Sequence, residues 1–442
     1  MSNRNLTRVI LLLVAFGLTA CDSSSIFVAG GSNPGGGNGN PSGPGGPVGG
    51  VSEPTVVFAP NHIFGYGAVQ LAGDSGKLVF TDDSDTLGTN PDDDWQVWSL
   101  DLFSGALIQL TSFVQFEFDI NSTIDISDNG DQVVFVSDSD IDGTNPNNLL
   151  SIFRVATDGS SVSQVFGNSL PGASLWEPNI SGDGSTIVFL SASDLTGDNP
   201  ALDIHLFAID ADGTNLRQVT TQVLLNLRSL SFADNGSKIA FQSLADPFGL
   251  NPDTDWEIFV IDIDGSNLTQ ITISIPTPGG GRSSEVPKLS DDGSVVVFAS
   301  DADHSPGSNP DPNFEVYIAP TNGGAITQLT SSNDENVGLD QDLFVGGYEV
   351  SGDGSIVVFG TTANLTGGNA NRDHTLFWVN TAGGTPVQLL RPGTIAEGVT
   401  LFRDAFMPAI SNGGATISFV SVHNFTSVAQ PGLDMIYTIE RQ

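Results

Sequence analysis

Residues 230–272 read LSFADNGSKIAFQSLADPFGLNPDTDWEIFVIDIDGSNLTQIT and contain four short strand-like segments. Each segment alternates apolar and polar residues or is rich in β-branched and aromatic residues, as strands are. Asp234-Asn235-Gly236 is a tight-turn sequence, and residues 243–255 have the Asp, Asn, Pro and Gly content of a loop. Four short antiparallel strands in this order predict one blade of a β-propeller. The predicted strands are residues 230–232, 238–241, 256–261 and 268–272.

The same unit recurs seven times, each time with a Phe at the end of the second strand and an aromatic residue in the third. Successive Phe residues are 55, 54, 52, 57, 61 and 60 residues apart, a period typical of stacked or radial repeat units. Six units also carry a Gln in the fourth strand. The Phe residues are Phe80, Phe135, Phe189, Phe241, Phe298, Phe359 and Phe419; the third-strand aromatics are Trp98, Phe153, Phe207, Phe259, Tyr317, Phe377 and Tyr437; the Gln residues are Gln109, Gln164, Gln218, Gln270, Gln328 and Gln388.

The last unit ends after its third strand, at Ile439, and a spare strand-like segment, residues 54–58, precedes the first unit. An open edge is a liability for a sheet, so we expect residues 54–58 to supply the missing outer strand. An open solenoid is the alternative, but it normally ends in atypical capping units. The sequence therefore predicts an all-β fold: a seven-bladed β-propeller of four-stranded antiparallel blades, spanning residues 54–442 and closed by an N-terminal strand.

The repeat resembles the TolB-like, or WD-like, propeller repeats of bacteria. The resemblance covers about residues 54 to 442 and implies a propeller fold. Propellers of this class serve as scaffolds, as binding modules and, in a few cases, as sugar lyases that use His with a metal. The segments that carry the resemblance are SGDGS at 181–185 leading to Phe189, DADG at 210–213, LRQVT at 216–220, SDDGS at 290–294 and SGDGS at 351–355.

The first 53 residues predict export and a membrane anchor rather than part of the fold. Residues 1–21 have a basic start, an apolar stretch at 9–16 and the sequence Leu18-Thr19-Ala20-Cys21, which resembles a bacterial lipobox. We expect the Cys21 thiol to carry a diacylglycerol; an ordinary signal peptide with an incidental Cys is the alternative. Residues 22–53 are a Gly-, Pro- and Ser-rich tether with a reach on the order of 30 Å. The predicted location is the periplasmic side of the bacterial cell envelope, with the inner or outer membrane left open.

The chain carries 51 acidic and 13 basic residues, a net charge of −38. This charge excludes nucleic acid as a partner and argues against direct contact with anionic lipid, so only the lipid anchor would hold the protein at a membrane. We expect a monomer. Two explanations of the acidity stay open: solubility in a salty habitat and cation binding.

The loops between the second and third strands carry an Asp or Asn five residues after the Phe in all seven units. Asp138, Asp140 and Asp142 in the second unit match the first half of an EF-hand loop, although the twelfth position is Leu149 rather than Glu. Such oxygen-rich spacing suits Ca²⁺. Alternatively, these side chains hydrogen-bond the backbone of their own loops.

A specific binding site is expected where the repeat is broken, in the long links between units, because loops on a rigid scaffold carry recognition. Packing over the core is the alternative role for the aromatic residues there. No His pair at metal-ligand spacing, Gly-x-Ser-x-Gly motif or phosphate loop indicates catalysis. The sequence thus predicts a membrane-anchored, non-enzymatic propeller that binds a protein or glycan partner through an acidic, loop-rich face. A calcium-dependent binding module and a polysaccharide lyase are the alternatives. The aromatic candidates are Phe116, Phe118, Trp176, Phe344, Phe402 and Phe406.

Overall fold

The described residues form seven four-stranded antiparallel sheets built from 28 strands. The computed structural model describes residues 52, 54–58, 68–112, 124–167, 174–221, 224, 226–274, 282–305, 307–309, 313–332, 347–370, 374–390, 406–421 and 435–441. Among these residues no helix is long and apolar enough to cross a membrane.

Each sheet is one blade, and the blades are numbered along the chain. The strands, in chain order, are β1 (Thr55–Phe58); β2 (Val69–Ala72), β3 (Lys77–Asp82), β4 (Gln96–Asp101) and β5 (Leu107–Gln109) of blade 1; β6 (Ile124–Ile126), β7 (Gln132–Ser137), β8 (Ser151–Ala156) and β9 (Val162–Gly167) of blade 2; β10 (Trp176–Ile180), β11 (Thr186–Ser191), β12 (His205–Asp210) and β13 (Arg217–Gln218) of blade 3; β14 (Arg228–Phe232), β15 (Lys238–Ser243), β16 (Glu257–Asp262) and β17 (Thr269–Gln270) of blade 4; β18 (Ser284–Leu289), β19 (Val295–Ser300), β20 (Glu315–Pro320) and β21 (Thr327–Gln328) of blade 5; β22 (Tyr348–Val350), β23 (Ile356–Thr361), β24 (Thr375–Asn380) and β25 (Val387–Gln388) of blade 6; and β26 (Phe406–Ile410), β27 (Thr416–Ser421) and β28 (Met435–Glu440) of blade 7.

The repeated aromatic residues pair across the two middle strands of every blade. Phe241 lies directly opposite Phe259 in the register of β15 and β16, and their rings stack with centroids 5.8 Å apart. Gln270 of β17 lies opposite Phe259, and its Nε2 donates to the carbonyl oxygen of Thr272 at 3.0 Å. Because the Phe241 and Phe259 rings are buried against the neighbouring blade, one spacing in the sequence sets both the strand register and the packing between blades.

The N-terminal strand closes the ring, as the sequence predicts. Thr55 and Val56 of β1 pair with Thr438 and Tyr437 of β28, so the outer strand of blade 7 comes from the start of the chain. Phe58 continues into the core of blade 1, where its ring centroid lies 4.7 Å from that of Phe80. The inner strands of neighbouring blades contact one another all round the ring, from β2 through to β26 and back to β2. The seven-bladed, closed fold is confirmed.

The inner strands surround a central channel, and several of them are irregular. The pairing of β10, β14, β18 and β26 with the next strand is interrupted by a register shift. At each interruption a residue other than glycine adopts a positive φ; these are Glu177, Ser229, Val286 and Met407. Bulges of this kind re-aim side chains, and here they reshape the wall of the channel in four of the seven blades.

Candidate cation site in the central channel

Seven tight turns, each joining the first and second strands of a blade, meet at one end of the channel. Their sequences follow the pattern Ser/Ala-x-x-Gly or a close variant, and the residue in the second position faces the axis. We call these seven residues the axial ring and this end of the molecule the short-turn face. The axial ring consists of Gly73, Asp128, Gly182, Asp234, Asp291, Gly352 and Asn412.

Hydrogen bonds between turns hold the axial ring together. Gly182 N donates to Asp234 O at 2.8 Å, and Asp291 N donates to Gly352 O at 3.0 Å. Within a turn, the Ser181 hydroxyl donates to Asp183 Oδ1 at 2.7 Å and so fixes the turn itself. The axial side chains are therefore carried by short, mutually bonded turns and not by long loops.

The glycines of the axial ring leave room for its carboxylates. A Cβ added at Gly182 would lie 2.8 Å from Asp234 Cβ and 2.9 Å from Asp128 Cβ. A Cβ at Gly73 would overlap the Asp128 carboxylate, and one at Gly352 would overlap the Asp291 carboxylate. At Gly182 and Gly352 φ is not positive, so close approach, and not backbone conformation, is what favours glycine at these two positions.

Asp128, Asp234 and Asp291, from blades 2, 4 and 5, form the acidic triad. One carboxylate oxygen of each lies within 4.8 Å of the others, and all three residues are half-buried. Within the described part of the chain, no other group of three His, Cys, Asp or Glu residues meets this geometry. Asn412 Nδ2 donates to Asp128 Oδ1 at 2.8 Å.

Burial and the repulsion of neighbouring carboxylates raise the pKa of Asp234 and of Asp291. Burial raises the pKa of Asp234 to about 8, and the negative charge of Asp291 acts in the same direction. Burial also raises the pKa of Asp291 to about 7, with Asp128 as the largest charged contributor. A cation between the three carboxylates would remove both penalties, because it replaces water as their partner and cancels their repulsion.

A second tier of polar residues lies three positions before the axial ring in six of the seven inner strands; the inner strand of blade 7 has Ala409 there. Lys288 Nζ lies 2.8 Å from Glu349 Oε2 in the next blade. Burial acts to lower the pKa of Lys288, but the charge of Glu349, its hydrogen bond to Lys288 and the charge of Asp125 together outweigh burial, so the pKa is raised. Asp125 accepts a hydrogen bond from Ile180 N at 2.8 Å, and burial raises the pKa of Asp125 to about 7.

Both tiers line a cavity of about 810 Å³ in the channel. The triad forms its floor, and Leu175, Trp176, Leu230 and Val286 contribute apolar wall. Six carboxylates and one ammonium line it: Asp125, Asp128, Glu177, Asp234, Asp291, Glu349 and Lys288. The cavity is much larger than one hydrated ion needs, so a cation on the floor leaves space for a ligand beside it.

The donor set suits a hard divalent cation. Ca²⁺, Mg²⁺ and Mn²⁺ prefer carboxylate and carbonyl oxygens, whereas zinc sites usually include His or Cys. His205, His304 and His374 are the histidines that the structure describes, and none of them lines the cavity. His205 Nδ1 lies 3.0 Å from the Thr220 hydroxyl and His304 Nε2 lies 2.9 Å from the Ser300 hydroxyl, both within blades.

The structure places the predicted calcium residues Asp138, Asp140 and Asp142 in the loop between β7 and β8, and two of them bond that loop. Asp140 Oδ1 accepts the N–H of Asn145 at 2.7 Å. Asp142 accepts the N–H of Thr144 at 3.0 Å and the N–H of Gln164 at 2.8 Å. The equivalent Asp–Asn bond occurs in other blades, such as Asp246 with Asn251. Calcium in this loop stays a prediction.

Of the predicted binding-face aromatics, Trp176 is described in full. It is half-buried at the start of β10 and lines the cavity. Phe406 lies at the start of β26, opposite Val420. Phe116, Phe118, Phe344 and Phe402 lie outside the described residues, as does Cys21. Sequence reasoning missed the triad because it compared the constant positions of the turn and passed over the variable second one.

Comparison with solved structures finds the propeller fold in proteins of known activity. An oligogalacturonate lyase in complex with manganese matches with a TM-score of 0.52 and 17% identity over 87% of this chain and 90% of that one. The oligogalacturonate lyase of Vibrio parahaemolyticus matches with a TM-score of 0.55 and 15% identity over 86% of this chain and 90% of that one. TolB from Acinetobacter baumannii matches with a TM-score of 0.41 and 15% identity over 76% and 66%. No protein-family model and no curated protein matches the sequence.

The comparison confirms the predicted propeller and corrects the predicted function. The sequence favoured a non-enzymatic scaffold that binds a protein or glycan partner through its acidic loop face. That prediction is wrong: it conflicts with the likeness to the two oligogalacturonate lyases, which are enzymes. The physical reason for the error is that the fold itself supplies a polar cavity at the ring axis, where side chains from several blades meet. The absence of local catalytic motifs says nothing about such a site.

Proposed function

We propose that this protein binds a divalent cation at the end of its central channel formed by the axial ring. The bound cation would contact a ligand or substrate held in the rest of the cavity. The observation that carries the proposal is the triad of Asp128, Asp234 and Asp291, with carboxylate oxygens within 4.8 Å of one another. The glycines that clear space around the triad support it. The raised pKa of Asp234 and of Asp291 supports it further, because both carboxyls are held away from water and next to other carboxylates.

Calcium is the cation that we favour, with Mg²⁺ and Mn²⁺ as competitors. Ca²⁺ takes six to eight oxygen ligands in flexible geometry, and three carboxylates that bind through one or both oxygens supply three to six of them. Water or an oxygen-bearing ligand in the cavity would supply the rest. Mg²⁺ demands a tighter octahedral arrangement than three side chains from three different blades provide.

Isothermal titration calorimetry with CaCl₂, MgCl₂ and MnCl₂ tests the proposal. We expect saturable binding of one cation to the wild-type protein and loss of that binding in Asp234→Asn. Asp198→Asn is the matched control, because Asp198 is an exposed loop aspartate away from the cavity and its replacement changes the net charge equally. If Asp234→Asn binds the cation as tightly as the wild type does, the site is not the triad. If all three chlorides act no differently from NaCl at equal ionic strength, the proposal fails.

A cation-dependent lyase that acts on acidic sugars is the second candidate. The observation that favours it is the combination of an acidic triad with a cavity large enough for a sugar ring and with Lys288 in the second tier. The fold likeness to the oligogalacturonate lyases supplies the substrate to try first. Incubation with oligogalacturonate should release unsaturated product, detected by ultraviolet absorbance, only when the cation is present. No product with any of the three cations would remove this candidate and leave cation binding in place.

A further inference from the structure

Among the described residues, hydrogen bonds connect the turns of blades 2 to 7 in the axial ring into a closed circuit. The turn of blade 1 is not part of this circuit. Backbone hydrogen bonds link the turns from blade 2 to blade 7, ending with Asp353 N donating to Asn412 O at 3.1 Å. The Asn412 side chain then donates to Asp128 Oδ1 and so returns the circuit to blade 2. These two residues are 284 positions apart in the sequence.

Blade 1 lies between the two partners and makes room for their contact. Its axial residue is Gly73, and a Cβ there would overlap Asp128 Oδ1 and lie 2.9 Å from Asn412 Nδ2. The Asn412–Asp128 hydrogen bond therefore crosses the seam between blades 7 and 1, the same seam that β1 closes from outside.

We infer that Asn412 is a positioning residue, which holds Asp128 in the triad and makes assembly of the cation site depend on closure of the ring. The inference rests on the proposed cation site. Hydrogen bonds from outer residues orient ligating carboxylates, and their loss typically costs about 10- to 100-fold in metal affinity. Because Asn412 belongs to the last blade and Asp128 to the second, a ring opened at the seam would separate them. Linkage then requires that the cation, in turn, stabilise the closed ring.

The first experiment measures the Ca²⁺ affinity of Asn412→Ala by calorimetry. We expect a loss of about 10- to 100-fold relative to the wild type. Asn267→Ala is the matched control, since Asn267 Nδ2 also donates to an aspartate, Asp262 Oδ2 at 2.8 Å, but neither residue lines the cavity. Its affinity should stay at the wild-type value. An unchanged affinity in Asn412→Ala would overturn the inference.

The second experiment separates positioning from a general structural effect. If Asn412 acts through Asp128, Asn412→Ala should cause no further loss of affinity in an Asp128→Asn background, because contacting residues are not additive. An equal loss in both backgrounds would show that Asn412 acts elsewhere. If Asp128→Asn binds too weakly to measure, Asp128→Glu, which keeps the carboxylate, takes its place.

Amide hydrogen exchange measures the coupling between cation binding and closure of the ring. Saturating Ca²⁺ should slow amide exchange in β1 and β28 of the wild type and leave it unchanged in Asn412→Ala. Unchanged exchange in the wild type would overturn the coupling. If the wild type binds none of the three cations, the proposed function fails first. The Asn412–Asp128 coupling can then still be measured by urea unfolding of the two single variants and the double variant, and additive effects would overturn the positioning role as well.

Discussion

Gly182 donates its backbone N–H to the carbonyl oxygen of Asp234 at 2.8 Å and has no Cβ that would push Asp234 and Asp128 apart. Asp234 and Asp128, two of the three triad residues, therefore lie on either side of Gly182 in the space that a larger side chain would fill. At Gly352 the hydrogen bond runs the other way, since Asp291 N donates to Gly352 O at 3.0 Å, and a Cβ there would overlap the Asp291 carboxylate. The three glycines of the axial ring leave the space that allows seven turns to meet there and still carry three carboxylates.

Gly182→Ala should weaken cation binding at least about 10-fold, because a 2.8 Å approach between Cβ atoms forces the turns of blades 3 and 4 apart. Overpacking of this kind typically costs about 1–3 kcal/mol of stability, so a lower melting temperature should accompany it. Calorimetry and thermal unfolding measure the two effects. Gly413→Ala is the matched control: Gly413 lies in the turn of blade 7, has no positive φ, and a Cβ added there would meet nothing within 4 Å. Wild-type affinity in Gly182→Ala would contradict the prediction.

The cation-free protein should lose stability as the pH rises from about 4 to about 8. The pKa of Asp234 is raised from its ordinary value of 3.8 to about 8. Between these values the folded state therefore holds a proton that the unfolded state has lost. Stability falls with pH wherever the folded state binds more protons. Asp291 and Asp125, each with a pKa raised to about 7, act in the same direction. Urea unfolding across this range measures the slope, which should be shallower in Asp234→Asn than in Asp198→Asn.

Saturating Ca²⁺ should flatten the same slope, and Ca²⁺ affinity should rise with pH up to about 8, because the cation displaces protons from Asp234 and Asp291. Proton release on Ca²⁺ binding, measured by calorimetry in buffers of different ionisation enthalpy, checks the second point. Affinity that is constant from about pH 6 to about pH 8 would show that Asp234 and Asp291 are already ionised without the cation.

The fold could be predicted from the sequence because each blade repeats the same physical solution. Phe189 and Phe207 occupy fixed positions, pair directly and stack at 5.8 Å, and every blade has such a pair. Closure of the ring could also be predicted. The last repeat unit lacks an outer strand, and a spare strand-like segment, residues 54–58, precedes the first unit. The strand and turn pattern of one unit is a weak indication of fold, but its repetition in seven units predicts the propeller.

The triad could not be predicted in this way because it occupies a position where the repeats differ. The second turn position reads Gly, Asp, Gly, Asp, Asp, Gly, Asn along the seven blades, so a comparison of common features discards it. The Asx residues of the long loops, which are nearly constant, proved to bond their own loops in several blades, as Asp194 does with Asn199 at 2.9 Å. A site formed by unlike residues from separate repeats becomes visible only when the ring places them together.

Phe58→Ala should destabilise the closed ring by about 3 kcal/mol, because Phe58 is 4% exposed and large-to-small core replacements cost this much. The loss should appear as faster hydrogen exchange in β1 and β28 before the other blades are affected. Thr55→Ala, which changes the half-buried first residue of the same strand, is the control and should have a much smaller effect. Uniform acceleration of exchange across all blades would indicate that closure is not a separate step.

Cys21→Ser should abolish lipid attachment and release the protein from the membrane fraction, because the thiol at the end of Leu18-Thr19-Ala20-Cys21 is the predicted acceptor of the diacylglycerol. Incorporation of labelled palmitate in a bacterial host, followed by fractionation, measures both effects. Ser23→Ala is the control, since it changes a neighbouring hydroxyl outside the lipobox. Labelling of Cys21→Ser at the wild-type level would show that the lipobox prediction is wrong.

Two candidate calcium sites lie on different parts of the molecule, and one measurement separates them. Asp140 caps its loop by accepting the Asn145 N–H at 2.7 Å, so Asp140→Ala should lower the melting temperature with or without calcium. The informative quantity is the rise in melting temperature caused by millimolar CaCl₂ in each variant. If calcium binds the triad, the rise should persist in Asp140→Ala and disappear in Asp234→Asn, because only the second change removes a ligand. Titrations with MgCl₂ and with NaCl of equal ionic strength control for screening of the net charge of −38. A rise that disappears in Asp140→Ala and persists in Asp234→Asn would assign calcium to the loop and contradict the channel site.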